Sequence, residues 1–516
     1  MDDQREVVAF LSDPASYGIP GVGVERIETH ISIVFLVGDR AYKLKRAIRF
    51  SYVDYSTTAL REKFCRTELD LNLRAAANLY IRVRAITREA AGNLTFDGGG
   101  TIIDWVVEMR RFLQSDLFDQ LAGSKKLTSR LIRDLTDAIV EFHAAAEITP
   151  HHGGRAGIEE TIVGNNLNLL QSAPQLDAGQ IKELHNASVV KLEAAGGLLD
   201  ERREGGRVRR CHGDLHLRNV CLFEGHPTLF DCIEFNDALS CIDVFYDLAF
   251  LLMDLVRRDL NDLASAVFNH YLDLTADIDG LSALPLFMSV RAAVRAHVAV
   301  ALDRQNRLPQ TLGEARSYLL LAGALLRPSP PFLIAIGGLS GVGKSAVAQG
   351  LASDFKPAPG ARVIRSDVLR KRLFGVAPET KLPPSAYGNA STLRVYDGLQ
   401  DQVVTSLAAG YTTIADTTFL REEERRRIAA SAERCGVPFV GLWLDAPSEV
   451  LAARIGERRG DASDADLPIL QLQLNFDVGA IEWQRIDATS DLAETLAVAR
   501  ELIDLKRQGS RVVWLQ

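Results

Sequence analysis

The chain has 516 residues, with 59 Lys+Arg against 67 Asp+Glu for a formal charge of −8. That balance leaves no broad basic face and argues against a dedicated nucleic-acid or membrane-surface binder. Hydrophobic residues at 47% and charged residues at 24% are globular values, while 39 Gly and 18 Pro exclude collagen-like or low-complexity architecture. At about 150 residues per domain, the length implies three or four folding units.

The opening run MDDQREVVAF has no basic segment followed by an apolar one, so no secretory leader is expected. Six cysteines (Cys65, Cys211, Cys221, Cys232, Cys241, Cys435) lie apart without a CxxC pair. This predicts reduced structural thiols in a cytoplasm rather than a disulfide framework or a closed zinc site. Apolar stretches such as Tyr318–Leu326 are read as too short for the roughly 20 residues of a spanning helix.

In chain order, IETHISIVFLVGD, RAYKLKR and TIIDWVVEMR predict strands within the first 110 residues. A helix is expected between the last two, at TALREKFCRTELDLNLRAAANLY. Strand periodicity places Lys43 and Lys45 on one face. From Leu127 the pattern turns mostly helical, as in SRLIRDLTDAIVEFHAAAE. A hairpin interrupts it at NVCLFEGHPTLFDCI, where Glu224-Gly225-His226-Pro227 separates two apolar runs. Pro328, Pro330 and Pro331 then make a short stiff linker, after which FLIAIGG opens a new strand. The expected division is a two-lobed domain over 1–327, strand-rich to 110 and helical from 111, a linker at 328–331, and an α/β domain over 332–516.

The segment CHGDLHLRNVCLFEGHPTLFDCIEF concentrates chemistry. Phosphoryl transfer needs a carboxylate to orient or deprotonate the acceptor hydroxyl, and oxygen ligands to hold Mg²⁺ against the phosphates. Asp214, Asn219 five residues on, and Asp231 after the hairpin supply all three, at the spacing of a protein-kinase catalytic loop. His212-Gly213-Asp214-Leu215-His216 with Asn219 resembles the catalytic loop of the aminoglycoside phosphotransferase family, with Gly where protein kinases carry Arg. LFDCIEFNDALSCIDVFYDLA is similar to that family's metal-binding strand and Asp-rich helix. The resemblance implies Asp214 as base, Asn219 and Asp231 as metal ligands, and Asp243 and Asp247 as supporting residues, with His212 bracing the loop. It also implies an α+β, protein-kinase-like fold with a strand lysine for the ATP phosphates and a helix glutamate paired to it. Lys43 is preferred to Lys45, and Glu68 to Glu62. Val106–Gln114 would form the adenine-contacting hinge.

The second constellation is Gly338-Leu339-Ser340-Gly341-Val342-Gly343-Lys344-Ser345, a full G-x-x-x-x-G-K-[ST] after an apolar strand and opening a helix. It predicts an α/β P-loop NTPase domain with a parallel sheet. The loop's backbone N–H groups cradle phosphates, Lys344 reaches the β/γ-phosphates and Ser345 ligates Mg²⁺. Ser366-Asp367 follows a short strand. It resembles the acceptor-activating Asp of chloramphenicol phosphotransferases, zeta toxins and gluconate-kinase-like enzymes, a role compatible with helix capping. Arg370 and Arg372 are candidates for an anionic acceptor. Asp416 ends the next strand as a Walker-B-type carboxylate for Mg²⁺, and Arg454, Arg458 and Arg459 fall where this kinase group places lid arginines.

Together these imply two fused phosphotransferases using ATP and Mg²⁺ on small-molecule hydroxyls, without nucleic-acid or membrane partners. The alternatives are an ATP-sensing half that regulates the other, and a zeta-toxin-like kinase of a nucleotide sugar. Asp214 and Asp367 favour two active sites, because an acidic base beside the γ-phosphate weakens binding but contributes to rate. Asp243, Asp247, Asp254 and Asp259 offer acid for a polycationic acceptor.

Overall fold

Alternation of side chains builds the first sheet. In the strands Ser32–Val37 and Arg40–Lys45, Ile33, Phe35, Val37, Tyr42 and Leu44 share one face. They pack with Ile86 and Val106 against Val7 and Leu11 of the helix Arg5–Ser12. Lys43 points the other way, in register with Val34 and Val107. The computed structural model describes residues 2–19, 21–50, 52–172, 175–306, 309–457 and 462–513. Contacts group the chain into two units, Met1–Gly164 with Leu192–Asp254, and Asn165–Lys191 with Leu255–Gln516.

The first unit carries a six-stranded antiparallel sheet in the spatial order Val24–Glu28, Ser32–Val37, Arg40–Lys45, Thr101–Arg110, Tyr80–Arg88, Leu94–Phe96. IETHISIVFLVGD is therefore two strands, broken where the Thr29 hydroxyl accepts the Ser32 N–H at 3.0 Å. Tyr80–Arg88 escaped the sequence reading because register shifts at Tyr80/Arg82 and Ile86/Thr87 spoil its alternation. The helix Thr58–Ala76 is capped by the Thr57 hydroxyl and covers the Lys43 face. Its buried stripe is largely polar: Arg61, Cys65, Glu68, Asn72 and Ala76 recur at helical spacing. In the hairpin Val220–Phe223/His226–Leu229, Phe223 pairs with His226, so the turn is Glu224-Gly225 alone. Both have positive φ, 51° and 85°, as a two-residue primed turn requires.

The second unit carries a five-stranded parallel sheet in the order Arg362–Arg365, Thr413–Asp416, Leu333–Gly337, Phe439–Asp445, Gln484–Asp487. Leu333–Gly337 is central and wholly buried, which is why it reads as an unbroken apolar run. Ile334 and Ile336 pack toward Val347 and Leu351 of the helix Lys344–Ala352, whereas Leu333 and Ala335 meet Leu399 and Val403 of the helix Asn389–Ala408. Among the described residues one helical stretch, Asp279–Leu302, is long and apolar enough to cross a membrane, which corrects the expectation that apolar stretches fall short. Its apolar window is 72% buried inside the protein, and the Ser289 hydroxyl donates to Ala322 O of the helix Pro309–Leu325 at 2.9 Å.

Arg61 is fully buried in the first unit, donating through Nε to Asp104 Oδ1 at 2.6 Å and through Nη1 to Tyr55 O at 3.0 Å. Arg61→Ala leaves the buried Asp104 carboxylate without its cation. It is expected to cost about 3–5 kcal/mol, read as a lowered urea midpoint for unfolding of this unit.

Candidate active sites

Glu68 organises the first site. From the middle of the helix Thr58–Ala76 its carboxylate meets the Arg40–Lys45 strand. Lys43 Nζ donates to Oε1 at 2.8 Å and Lys45 Nζ to Oε2 at 2.6 Å. Both predicted lysines therefore reach the chosen glutamate, whereas Glu62 sits on the exposed face and pairs with Arg66 at 2.9 Å. Burial alone would raise the Glu68 carboxyl, but Lys43 and Lys45 outweigh it and hold the group below its ordinary range. Burial opposes charge on Lys43 as well, yet Asp231 and Glu68 keep it well above its ordinary value. Lys43 also bonds Asp231, and Lys45 bonds Glu234, whose second partner is the Tyr55 hydroxyl.

The loop carrying Asp214 is held from beneath. Asp247, with no solvent exposure, accepts the N–H groups of His212 and Gly213 at 3.0 and 2.9 Å. Asp254 accepts the Leu217 N–H at 3.1 Å, and Asp243 takes a two-pronged bond from Arg202 at 2.8 Å. These three acids are buried and spent on the protein, which corrects the idea that they face a polycationic acceptor; Asp259 alone of the four is exposed. Gly213 has φ +85°, and a Cβ there would lie 2.8 Å from Leu239 O. Neither that conformation nor that approach suits the Arg of protein kinases. Buried His212 donates through Nε2 to Phe230 O at 2.9 Å and accepts the Asp214 N–H at Nδ1, tying the loop to the hairpin's end. Burial lowers its pKa, so the ring stays neutral in this bracing position.

Asp214 lies half-exposed at the loop's tip. Asn219 Nδ2 donates to its Oδ2 and to its backbone O, both at 2.9 Å. That leaves the Asn219 carbonyl oxygen, together with Asp231, as the hard oxygen donors that suit Mg²⁺. His216, which the sequence reading left without a role, places Nε2 3.3 Å from Asp214 Oδ2. Its Nδ1 accepts the Arg218 N–H at 3.2 Å, which assigns the ring proton to Nε2, facing the carboxylate. Glu234 and Tyr55 were also missed. Glu234 follows Asp231 in a segment that is neither helix nor strand, so no periodicity marks it.

In the second unit the P-loop bends as its glycines allow. Gly338 has φ +133°, and a Cβ there would meet Leu444 O at 2.5 Å. Gly341 and Gly343 also have positive φ. Lys344 Nζ donates to Gly338 O and Leu339 O at 3.0 Å, and the Ser340 N–H donates to Gln473 Oε1 at 2.8 Å. The Val342 side chain is buried beneath the loop and its N–H closes a turn onto Leu339 O. Ser345 Oγ donates to Asp416 Oδ2 at 2.6 Å, bringing two oxygen ligands of the Mg²⁺ type together. Asp416 stands 3.5 Å from Arg365 Nε. Asp367 opens the helix Ser366–Leu373; burial pushes its carboxyl up, Arg365 opposes this and Asp416 adds to it.

The flanking arginines behave differently. Arg370 is buried and donates to Ala386 O at 2.9 Å, so it serves the fold rather than an acceptor; Arg372 is exposed. Arg454 donates to Ala488 O at 2.9 Å and toward Val342 O, Thr489 O and Ser490 O at 3.3–3.4 Å, and is not brought to the Lys344–Asp416 cluster. Arg458 and Arg459 lie outside the described residues. Val106–Gln114 runs from the strand Thr101–Arg110 into a short turn at Gln114–Asp116.

Residues 107–284 match the model of the phosphotransferase enzyme family, and residues 333–476 match the model of an AAA domain. The chain thus joins an aminoglycoside-phosphotransferase-like kinase fold to a P-loop kinase domain. Uncharacterized proteins of Mycobacterium tuberculosis and Mycobacterium bovis are each 28% identical over 453 residues, 86% of this chain and 88% of theirs. Among solved structures, a choline/ethanolamine kinase family protein from Mesorhizobium loti is 14% identical with a TM-score of 0.37, over 62% of this chain and 93% of its own. A gluconokinase from Sinorhizobium meliloti is 23% identical with a TM-score of 0.25, over 35% of this chain and 99% of its own.

Because Glu68 is depressed by two ammoniums, its contribution to stability is fully present above its ordinary pKa of 4.5. That contribution is lost as pH falls from there through the lower folded value. Denaturant titrations at a series of acid pH values are expected to show this loss, and Glu68→Gln is expected to flatten it while lowering stability at neutral pH.

Proposed function

We propose that the chain is a bifunctional ATP-dependent phosphotransferase, each half moving the γ-phosphoryl of ATP to a hydroxyl of a small molecule such as a sugar or an aminoglycoside-like metabolite. The observation that carries this reading is that each half sets a carboxylate, Asp214 with Asn219 and His216 on its Oδ2 or Asp367 at the start of the helix Ser366–Leu373, alongside a lysine, Lys43 or Lys344, and oxygen ligands, Asn219 with Asp231 or Ser345 with Asp416. A nucleotide sensor requires only the cation and the ligands.

In the first half, Asp214 accepts the proton as the acceptor oxygen attacks the γ-phosphorus. The bond to the β,γ-bridging oxygen breaks and ADP leaves. His216 and Asn219 orient the Asp214 carboxylate, and Lys43 exchanges Asp231 for phosphate oxygens. Asn219 and Asp231 would hold Mg²⁺, which supplies charge neutralisation at the phosphates. In the second half, Asp367 is the base, its raised carboxyl closer to the working range of a proton acceptor. Lys344 and the P-loop N–H groups take the phosphates, while Ser345 and Asp416 would hold Mg²⁺. A cytoplasm, with its ATP and reducing conditions, suits both this chemistry and the free cysteines.

ATP turnover against a panel of hydroxyl metabolites tests the reading. Asp214→Asn is expected to lower formation of one product by about 10²-fold or more, and Lys344→Ala to abolish a different one. A panel in which Asp214→Asn changes no product removes the first assignment. Loss of the Asp214-dependent product on Lys344→Ala, with no product belonging to the P-loop half, turns that half into a sensor.

A further inference from the structure

The P-loop sheet ends at Arg362–Arg365, the strand that leads directly into Asp367. Such an edge exposes alternate backbone N–H and C=O groups. Here the edge is occupied by a side chain. Asn269, on the helix Asn261–Thr275, accepts the Val363 N–H at Oδ1 (2.8 Å) and donates from Nδ2 to Ala361 O (3.1 Å), as a neighbouring strand would. One turn further, Asp273 Oδ1 lies 2.7 Å from Nη2 of Arg362, whose side chain is 2% exposed. Arg362 Nη1 also approaches Asn269 O and Oδ1 at 3.3 Å. Phe268 stacks on the buried Tyr411 ring with centroids 5.5 Å apart, and Asp262 bonds the Ser353 hydroxyl. All of these residues lie within the second compact unit, yet the helix belongs to the 107–284 stretch that matches the phosphotransferase family.

We propose that Asn269 and Asp273 are positioning residues for Asp367, so that the P-loop acceptor site is completed by a helix outside the P-loop domain's own sequence. On its inner side the strand is held by the ladder to Thr413–Asp416. On its outer side this helix holds it. Asp367 stands four residues beyond Val363, past a strand too short to define its own angle without both supports. The catalytic consequence rests on the reading of Asp367 as acceptor base; the mechanical one does not.

The test uses the full chain carrying Asn269→Ala, with Asn269→Asp as the conservative partner that keeps an acceptor for the Val363 N–H. Amide exchange at Val363 is expected to quicken about tenfold or more in the alanine variant and to return toward the parent rate in the aspartate variant. The kcat of the Lys344-dependent product should fall about tenfold, while the KM for ATP stays within about twofold and the aspartate variant recovers. Unchanged exchange at Val363, or an ATP KM that rises in step with the loss of kcat, overturns the proposal. The first means the strand does not need the helix; the second means general unfolding rather than positioning. If the parent chain makes no Lys344-dependent product, the functional reading of that half fails, and the exchange result still decides whether Asn269 holds the strand.

Discussion

A carboxylate with no access to water must be surrounded by cations or hydrogen-bond donors, and in the first half that requirement falls on Glu68. Lys43 and Lys45 meet it from adjacent positions of one strand face, and each carries a further acid, Asp231 and Glu234, from the segment beyond the hairpin. The helix, the strand and the segment beyond the hairpin are thereby tied by one charge network. Removing Lys43 or Lys45 leaves buried Glu68 with one ammonium in place of two, and removing Glu68 leaves each lysine with one acid. The largely polar buried stripe of Thr58–Ala76 follows from the same demand, and so does that helix's weak amphipathic pattern.

In both candidate sites the cations and the hydroxyl bond to the protein itself. Lys43 rests on Asp231, Lys344 on carbonyls of its own loop, and Ser345 on Asp416. In the function proposed above, phosphate binding is an exchange of partners, in which the anion's bonds replace internal ones. This limits the net affinity of each contact. Asp214 is oriented by His216 and Asn219, and its loop is pinned by Asp247 and Asp254 through backbone N–H groups.

Much of this was legible in the chain itself. Asp214, Asn219 and Asp231, and the run from Gly338 to Ser345, stand at spacings set by a single loop or turn, where neighbours in sequence are neighbours in space. Lys43 and Glu68 were harder, because a strand and a helix had to be docked before they met, and Lys45 proved to share the same glutamate. Asp243 and Asp247 were expected both as supporting residues and as acid for an acceptor, and only the supporting place fits their bonds; Asp254 is likewise turned inward, since a helical acid looks the same in sequence whether it meets water or a buried N–H. The Tyr80–Arg88 strand was lost to its register shifts, and Glu234, Tyr55 and His216 carried no periodic or motif signal.

By itself the sequence determined the two kinds of phosphate-binding chemistry, because glycines with positive φ and residues at fixed offsets in one loop leave the backbone little choice. It also determined the order of the two folds along the chain, through the change from alternating to continuous apolar strands. Tertiary structure alone decided which acids are buried on backbone N–H groups and which stay at a loop tip, and which two lysines share one glutamate. It alone placed a helix of the first family's stretch on the edge strand that carries Asp367. Burial and pairing between residues distant in sequence are properties of packing, and no local pattern encodes them.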